Sequence, residues 1–307
     1  MAIPPSGTVS LDDIQTEFGG TNPINLSEYY SAATGIPASG EISISDFYGT
    51  SSRVPIVINN TGTASQQDIY TLASANPTYS AGISDVVYNN SGTLTSTLIG
   101  TAALQTGTFA SGDTVKIVNT GLIIGKGGNG GAGTYAPAPV TGNAGGGGGR
   151  ALALQFGVTI DNTGGTIAGG GGGGAGGAGR FYSVPNPSPK VPPTYRYVGG
   201  SGGGGGAGTN VGLGGAGGGA PGSSTFDGIA GSNGTPTAGG AGGAANAYVP
   251  NPSKPWAAGA NGGGRGQAGA NQASPVPAAG GAAGQAVISN SNPITWIDMG
   301  TINGSTT

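Results

Sequence analysis

Glycine places the strongest constraint on what this chain can fold into, because it is both abundant and regularly interrupted. Of the 307 residues, 70 are glycine, and 55 of these fall between residues 125 and 285. In one tract the interrupting residues are Lys126, Asn129 and Ala132, which are three residues apart. Three residues is the period of the polyproline-II conformation, which has no internal hydrogen bonds. We therefore predict packed polyglycine-II helices that are hydrogen-bonded to one another, rather than a flexible linker.

The composition excludes most kinds of catalytic site. The chain contains no histidine and no cysteine, and only 7% of its residues are charged. It therefore lacks the commonest general base and metal ligand, as well as any thiol nucleophile. A G-x-G-x-x-G pattern begins at Gly125, but no amphipathic helix follows it, so a dinucleotide site is not indicated. We expect no enzymatic activity, no cofactor and no bound metal.

Charge is distributed unevenly between the two halves of the chain. Residues 1–124 carry a net charge of −7, whereas residues 125–285 carry +5. Such asymmetry indicates different partners for the two halves. Seven basic residues over the glycine-rich part are too sparse for a nucleic-acid interface, so none is expected. No apolar run approaches the roughly 18 residues of a membrane-spanning helix, and the N-terminal residues do not resemble a signal peptide.

Residues 1–52 are predicted to form a small helical module. Ser10 is a good N-cap, and Leu11, Ile14 and Phe18 have the spacing of one apolar helix face. Further elements are expected in this order: a second short helix at 26–33, a short strand at 42–44 and a capped turn at 45–49. About 50 residues bury little apolar surface, so this module is expected to dock on another protein.

Residues 53–124 are predicted to be a β-rich connector. The candidate strands are Val54–Ile58, Val86–Tyr88, Thr93–Leu98 and Thr114–Val118. An internal repeat links this region to the glycine-rich part, because Val115-Lys-Ile-Val-Asn-Thr-Gly121 is similar to Val158-Thr-Ile-Asp-Asn-Thr-Gly164. A degenerate third copy is proposed at Val287–Ser291 with Ile294–Ile297. Each copy is predicted to be a strand, a turn and a second strand, and the copies are predicted to stack.

The glycine tracts alternate with loops rich in proline, aromatic residues and bases. The longest loop spans 180–198, and others span 134–141 and 246–257. Proline limits the entropy that a loop loses on binding, and tyrosine and tryptophan supply large contact areas with few rotatable bonds. We predict these contacts with a binding partner: Tyr135, Arg180, Phe181, Tyr182, Lys190, Tyr195, Arg196, Tyr197, Tyr248, Lys254 and Trp256.

This layout resembles the distal adhesins of T-even-like bacteriophage long tail fibres. The resemblance rests on the alternation of glycine tracts and loops over residues 125–285. The string Gly-Thr-Val-Ser-Leu-Asp-Asp-Ile-Gln-Thr-Glu-Phe-Gly-Gly at 7–20 is also similar to a module found in phage virion proteins. The residues and the resemblance together predict a mostly irregular and β fold with four parts, of which the β region and the non-glycine tail depart from the family pattern. The four parts are an N-terminal attachment module (1–52), a β connector (53–124), a polyglycine-II helix bundle with long distal loops (125–285) and a C-terminal strand or tail (286–307).

The resemblance also implies a function and two kinds of partner. The loops would bind a bacterial outer-membrane protein or lipopolysaccharide. The N-terminal module would attach to another tail-fibre or baseplate protein, through Leu11, Ile14, Phe18, Tyr29, Tyr30, Phe47 and Tyr48. The protein would be made in the host cytoplasm and incorporated into the virion. It would cap a trimeric fibre as one copy or form its own trimer.

Two other functions are compatible with the sequence. The chain could be a structural virion protein, such as a baseplate or fibre connector, that makes no direct contact with the host. It could also be an ice-binding protein, although the long irregular loops disfavour the regular flat face that such proteins need.

Overall fold

A computed structural model describes residues 2–134, 141–184, 194–218, 227–245, 258–273 and 276–307. The chain begins with a small helical module at residues 2–52. Helix α1 (Leu11–Phe18) starts where Ser10 caps it: the Ser10 hydroxyl accepts from the Asp13 amide over 3.1 Å. The Asp13 carboxylate accepts from the Ser10 amide over 2.8 Å, which completes a capping box. The helix ends at Gly19, whose φ of 78° favours glycine.

The rest of the module consists of two 3₁₀ turns around a compact core. These turns are Leu26–Tyr29 and Ile44–Phe47. Ile14, Tyr29 and Phe47 are buried at the centre. The helix predicted at 26–33 is therefore only one 3₁₀ turn, and the strand predicted at 42–44 is wrong. The Ser43 amide donates to the Asp46 carboxylate over 2.8 Å, and this local hydrogen bond favours the turn at that place.

The residues that follow wind as stacked coils, which place successive strands in three parallel sheets. The first sheet contains, in spatial order, β1 (Val54–Asn60), β4 (Ser84–Asn90), β7 (Thr114–Asn119), β10 (Val158–Asp161) and β15 (Ile294–Asp298). The second contains β2 (Thr63–Ser65), β5 (Thr93–Thr95), β8 (Leu122–Ile124), β11 (Thr166–Ala168) and β16 (Thr301–Asn303). The third contains β3 (Gln67–Asp68), β6 (Leu104–Gln105), β9 (Leu152–Ala153) and β14 (Val287–Ile288).

Two further elements complete the regular structure. Helix α2 (Ile69–Ser74) follows β3, and Ile69 and Ala73 pack into the coil core. Strands β12 (Arg180–Val184) and β13 (Thr194–Val198) form a separate antiparallel pair.

Alternating side chains fill the inside of the coils. In register across the first sheet, Ile58, Tyr88, Ile117, Ile160 and Trp296 form one inward row. Tyr88, Ile117 and Ile160 in this row are fully buried. A strand exposes its side chains to opposite faces in turn, so a period of two places one apolar set in the core. These rows make the stacked coils the main hydrophobic core of the protein.

A ladder of asparagines runs beside this core at the turn that follows the first sheet. The side-chain amide of Asn60 donates to Asn90 over 2.7 Å, that of Asn90 to Asn119 over 2.7 Å, and that of Asn119 to Asn162 over 2.6 Å. Asn90, Asn119 and Asn162 are buried. Each buried amide is satisfied by the coil above or below, so the ladder holds the coils in register.

The predicted stacking of the repeat is confirmed for its first two copies. Strand β10 pairs in parallel with β7, and β11 pairs with β8. The alignment of the third copy is wrong, because Val287–Ile288 lies in the third sheet and it is β15 that pairs with β10. The sequence at Val287–Ser291 is similar to the first strand of the repeat, but its place in the coil makes it pair with β9 instead.

The glycine-rich residues are insertions between coil strands. Residues 125–151 connect β8 to β9, and residues 169–286 connect β11 to β14, so both leave the coils where the second sheet ends. The sheets therefore contain strands from both sides of the boundaries predicted at 124 and 285. The four-part division of the chain stays a prediction.

The predicted fold class is wrong in its main element. The expected architecture was a polyglycine-II helix bundle after a short β region. The regular structure instead consists mainly of three parallel sheets with 14 strands among the described residues. The physical reason is that apolar residues at alternate positions, before and after the glycine insertions, bury one another inside the coils. The expectation of a mostly β protein agrees with the structure only loosely.

Candidate functional site

The glycine insertions form a layer of hydrogen-bonded backbone runs. The amides of Gly125, Gly128 and Gly131 donate to the carbonyls of Ala168, Gly171 and Gly174 over 2.8–2.9 Å, so every third amide joins the same neighbouring run. Such inter-run bonds satisfy backbone groups that have no partner within their own run.

The run at 169–179 lies at the centre of the layer. Every residue in it is buried. Its backbone bonds reach runs on all sides, at 125–134, 142–149, 199–208, 258–266, 267–273 and 276–284. This central run therefore fixes the positions of the runs around it.

Backbone crowding explains why two of every three positions in a tract are glycine and only the third can carry a side chain. A Cβ placed at Gly125, Gly127 or Gly128 would lie far closer than 3.0 Å to a backbone carbonyl oxygen of a neighbouring run. Most other glycines of the runs meet the same limit. Lys126 and Asn129 occupy the remaining third position, where the layer leaves room for a side chain. Glycine is needed here for close approach of backbones.

Four surface asparagines complete the hydrogen bonding of the outer runs. Each accepts a backbone amide hydrogen bond on its side-chain oxygen, over 2.8–3.0 Å: Asn129 from Leu213, Asn233 from Gly214, Asn261 from Gly242 and Asn271 from Gly280. These amides would otherwise have to bond to water at the margin of the layer.

The ends of the runs meet on one side of the layer, which we call the loop end. Thr134 bonds to Gly177 and Gly200, Gly200 accepts from Gly218, and Gly218 accepts from Gly228, all over 2.8–3.1 Å. Each of these residues is at or near the end of a run that started at the coils or returns to them. The loop end therefore gathers segments that are far apart in sequence.

The antiparallel pair β12–β13 emerges from the loop end, directly after the central run. Arg180 pairs with Val198, Phe181 with Tyr197, Tyr182 with Arg196 and Ser183 with Tyr195. The structure thus brings six of the predicted contact residues together on one hairpin. They are Arg180, Phe181, Tyr182, Tyr195, Arg196 and Tyr197. Tyr197 is half-buried, and the adjacent Val198 is buried.

The other predicted contact residues lie outside the described residues. They are Tyr135, Lys190, Tyr248, Lys254 and Trp256.

Sequence reasoning did not identify the buried serine that organises this end. The Ser201 hydroxyl donates to the Ala244 carbonyl over 2.7 Å and accepts from the Ile229 amide over 3.2 Å. Ser201 is only 2% exposed, so it joins three runs just below the hairpin. The available signal was a single hydroxyl residue inside the tract 199–206.

The layer is fastened to the coils by polar contacts at its other end. Asn210 donates its side-chain amide to the Thr95 hydroxyl over 3.0 Å and to the Ser96 carbonyl over 2.9 Å. Thr209 is hydrogen-bonded to Thr95 as well. Strand β5 therefore anchors the turn between two runs, and the loop end is carried on a fixed support.

The residues predicted for attachment divide into two groups in the N-terminal module. Ile14, Tyr29 and Phe47 are buried, and Phe18 packs on them with its ring 5.9 Å from that of Phe47. The other three residues reach the surface. Leu11 and Tyr48 are exposed, and Tyr30 is half-buried.

A buried carboxylate holds the last residues of this module where the chain leaves it for the coils. Glu17 is 7% exposed and accepts from the Ser52 amide over 2.7 Å and the Ser51 hydroxyl over 2.8 Å. Burial alone would raise the pKa of Glu17, but hydrogen bonds, including those from Ser51 and Ser52, lower this pKa to about 2. Just beyond, the Arg53 guanidinium donates to Asp85 of β4 over 2.6 Å. The module is thereby linked to the first two coils.

No helix among the described residues is long and apolar enough to cross a membrane. No group of three or more potential metal ligands occurs among the same residues.

Stacked parallel coils that carry a layer of hydrogen-bonded glycine runs define the architecture of this protein. The chain belongs to the phage tail fibre adhesin Gp38 family, whose model matches residues 53–307. It is therefore a tail-fibre adhesin and a component of the phage virion. The resemblance predicted from the glycine tracts is thereby confirmed.

One solved structure extends the comparison over nearly the whole chain. It is the crystal structure of the gp37-gp38 adhesin tip complex of the bacteriophage S16 long tail fiber, with a TM-score of 0.52 and 24% sequence identity. The match covers 95% of this chain and 91% of that chain. At this identity the likeness shows a shared fold. No curated protein matches the chain.

Proposed function

We propose that the loop end is the surface with which this adhesin binds its bacterial receptor. The observation that carries the proposal is that the hairpin β12–β13 continues the buried central run, with the ends of the neighbouring runs around it. A hairpin fixed at its base loses little freedom on binding, so more of the contact energy appears as affinity.

The chemistry of the hairpin supports a receptor with both apolar and anionic groups. The two strands combine Phe181, Tyr182, Tyr195 and Tyr197 with Arg180 and Arg196. Aromatic residues and arginine are enriched where proteins bind tightly, and guanidinium groups pair with phosphate and carboxylate. The receptor class we propose is an outer-membrane protein or lipopolysaccharide. The proposed role is binding and not catalysis.

We also propose that the N-terminal module attaches the adhesin to another tail-fibre protein. The module has its own core and lies before the matched family region. The S16 structure is a complex of two proteins, gp37 and gp38, at the tip of a long tail fibre. The module is acidic and exposes Leu11 and Tyr48 on its surface, which suits such a contact. The seven residues predicted for attachment then divide between core support and surface contact.

A shortened hairpin tests the receptor-binding proposal. Residues 185–193 would be replaced by Asn-Gly, which closes a two-residue turn between the paired Val184 and Thr194. Purified wild-type protein should compete with phage for host cells, whereas the shortened protein should compete at least tenfold less well. Thr237→Ala, in an exposed turn at the other end of the layer, is the control and should compete normally. Equal competition by all three proteins would refute the role of the hairpin, and no competition by any would favour a purely structural protein.

A further inference from the structure

The N-terminal module has an open cleft that its own core does not fill. The cleft has a volume of about 960 Å³ and lies between segments 23–28 and 40–44 and the start of α1. The Tyr30 hydroxyl donates to the Gly40 carbonyl, which ties the two segments together. The cleft is therefore a built feature of the module.

Aliphatic side chains form much of the cleft surface. Leu11 and Ile44 are 39% and 37% exposed, although both are large and apolar. Ile24, Leu26 and Ile42 line the same cleft and also pack against the module core. Polar and apolar groups contribute about equally to the cleft surface, so the cleft suits a short segment that carries both kinds of group.

The charge around the cleft is of one sign. Glu28 and Glu41 line it, and residues 1–52 contain six acidic residues but no lysine or arginine. Neither glutamate forms an ion pair within the described part of the chain. The potential at the cleft is therefore negative, which disfavours nucleic acid and anionic lipid and attracts a cation.

We infer that this cleft receives an apolar segment flanked by lysine or arginine on another tail-fibre protein. The inference rests on the proposed attachment through the N-terminal module, and it specifies the chemistry of the partner. The aliphatic residues would supply the buried contact, and Glu28 and Glu41 would pair with the flanking cations at its margin. Such pairs mainly set partner choice, association rate and salt dependence.

Salt release of the adhesin from virions tests the inference. An adhesin-deficient phage would be complemented with each variant, and the adhesin retained per virion would be measured after washes of increasing NaCl concentration. Glu28→Gln with Glu41→Gln should release the adhesin at no more than half the wild-type NaCl concentration. The matched control is Ser6→Lys with Thr16→Lys, which changes the net charge equally at exposed positions outside the cleft and should behave as wild type.

The apolar part of the cleft is tested by Leu11→Ser with Ile44→Ser. Both residues are exposed, so the change should not unfold the module, which thermal unfolding would check. Retained adhesin should fall at least tenfold. Retention at the wild-type level would overturn the cleft as the docking surface. If this variant loses adhesin but the glutamine variant behaves as wild type, the basic character of the partner is overturned. The same conclusion follows if the lysine control loses as much adhesin as the glutamine variant.

A labelling measurement separates failure of this inference from failure of the proposed attachment. The chain has no cysteine, so Ser27→Cys introduces a single thiol at the cleft. Its maleimide labelling should be at least tenfold slower on the virion than in the free protein. If the introduced thiol is protected on the virion but the glutamine variant is retained as well as wild type, only the basic character of the partner is overturned. Equal labelling in both states would overturn attachment through this module and the inference with it.

Discussion

The side-chain amide of Asn90 donates a hydrogen bond of 2.7 Å to the side-chain oxygen of Asn119 on the next coil. The two side chains are 1% and 0% exposed, so neither has water as an alternative partner. Successive turns of the coil are therefore connected by side chains as well as by backbone ladders. Changing an asparagine of the ladder should therefore show how much these side chains contribute to holding the coils in register.

Asn119→Ala should strongly destabilise the coils. It would remove the acceptor of Asn90 and the donor to Asn162, and each buried group left unpaired costs roughly 1–3 kcal/mol. Denaturant unfolding should show a loss of about 2–5 kcal/mol. Asn89→Ala is the matched control, because Asn89 makes the same kind of bond to Asn59 on the solvent side of the strands. Equal losses in the two variants would contradict the role of the buried ladder.

Backbone crowding in the layer predicts opposite effects for two glycine-to-alanine changes. A Cβ at Gly173, in the buried central run, would overlap the Asn129 carbonyl, so Gly173→Ala should cost about 3 kcal/mol or more. A Cβ at Gly147 would have its nearest neighbour at 3.8 Å, so Gly147→Ala should stabilise by roughly 0.4–1 kcal/mol. Thermal unfolding of both proteins would measure the difference. If Gly173→Ala melted at the wild-type temperature, close packing of the runs would be refuted.

The lowered pKa of Glu17 predicts that acid destabilises the N-terminal module. Its pKa is lowered in the folded protein to about 2, from an ordinary value of 4.5. Its stabilising effect is therefore complete above pH 4.5 and is lost as the pH falls towards 2. Glu17→Gln should cost about 2 kcal/mol at pH 7, because the hydrogen bonds from Ser51 and Ser52 would no longer be made to a charged acceptor.

Proteolysis of residues 2–52 against pH would detect the loosening. The wild-type protein should become sensitive between pH 4.5 and 2, whereas Glu17→Gln should be sensitive at neutral pH and change little with acid. The same steep pH dependence in both proteins would show that another group is responsible.

The two hydrogen bonds of the Ser201 hydroxyl predict that this one group holds the backbone of the loop end in place. Ser201→Ala would leave the Ile229 amide and the Ala244 carbonyl without this partner, at a cost of roughly 1–3 kcal/mol. Hydrogen exchange at residues 228–245 should become faster, and competition for host cells should weaken several-fold. Ser232→Ala, which breaks two comparable bonds to Ala241 at an exposed position, is the control and should have a smaller effect. Slower or unchanged exchange in Ser201→Ala would contradict this prediction.

Much of the local structure could be predicted from the sequence. Ser10 and the spacing of Ile14 and Phe18 predicted α1, since capping and periodicity act within a few residues. The repeat at 115 and 158 predicted the stacking of β7 and β10. The period of three in the tracts also has a physical counterpart, because it marks the positions where side chains have room.

What could not be predicted depends on contacts distant in sequence. Strand β15 pairs with β10 across the long insertion at 169–286, and no local pattern specifies such a register. The asparagines were visible as turn residues, but their burial follows only from the stacking of coils. The hairpin was missed because proline and charge dominated the interpretation of 180–198. The aromatic and β-branched residues flanking the prolines were the available signal for two strands.

Site-specific photocrosslinking on adsorbed phage would show whether the loop end contacts the bacterial surface. A photoreactive phenylalanine analogue would replace Tyr197 at the base of the hairpin, and Val57, which is 56% exposed on β1, would serve as the control position. With phage adsorbed to cells, the probe at Tyr197 should crosslink to an outer-membrane protein or to lipopolysaccharide, and the probe at Val57 should not. Crosslinks from Tyr197 to virion proteins alone would contradict the account and identify the chain as a structural connector.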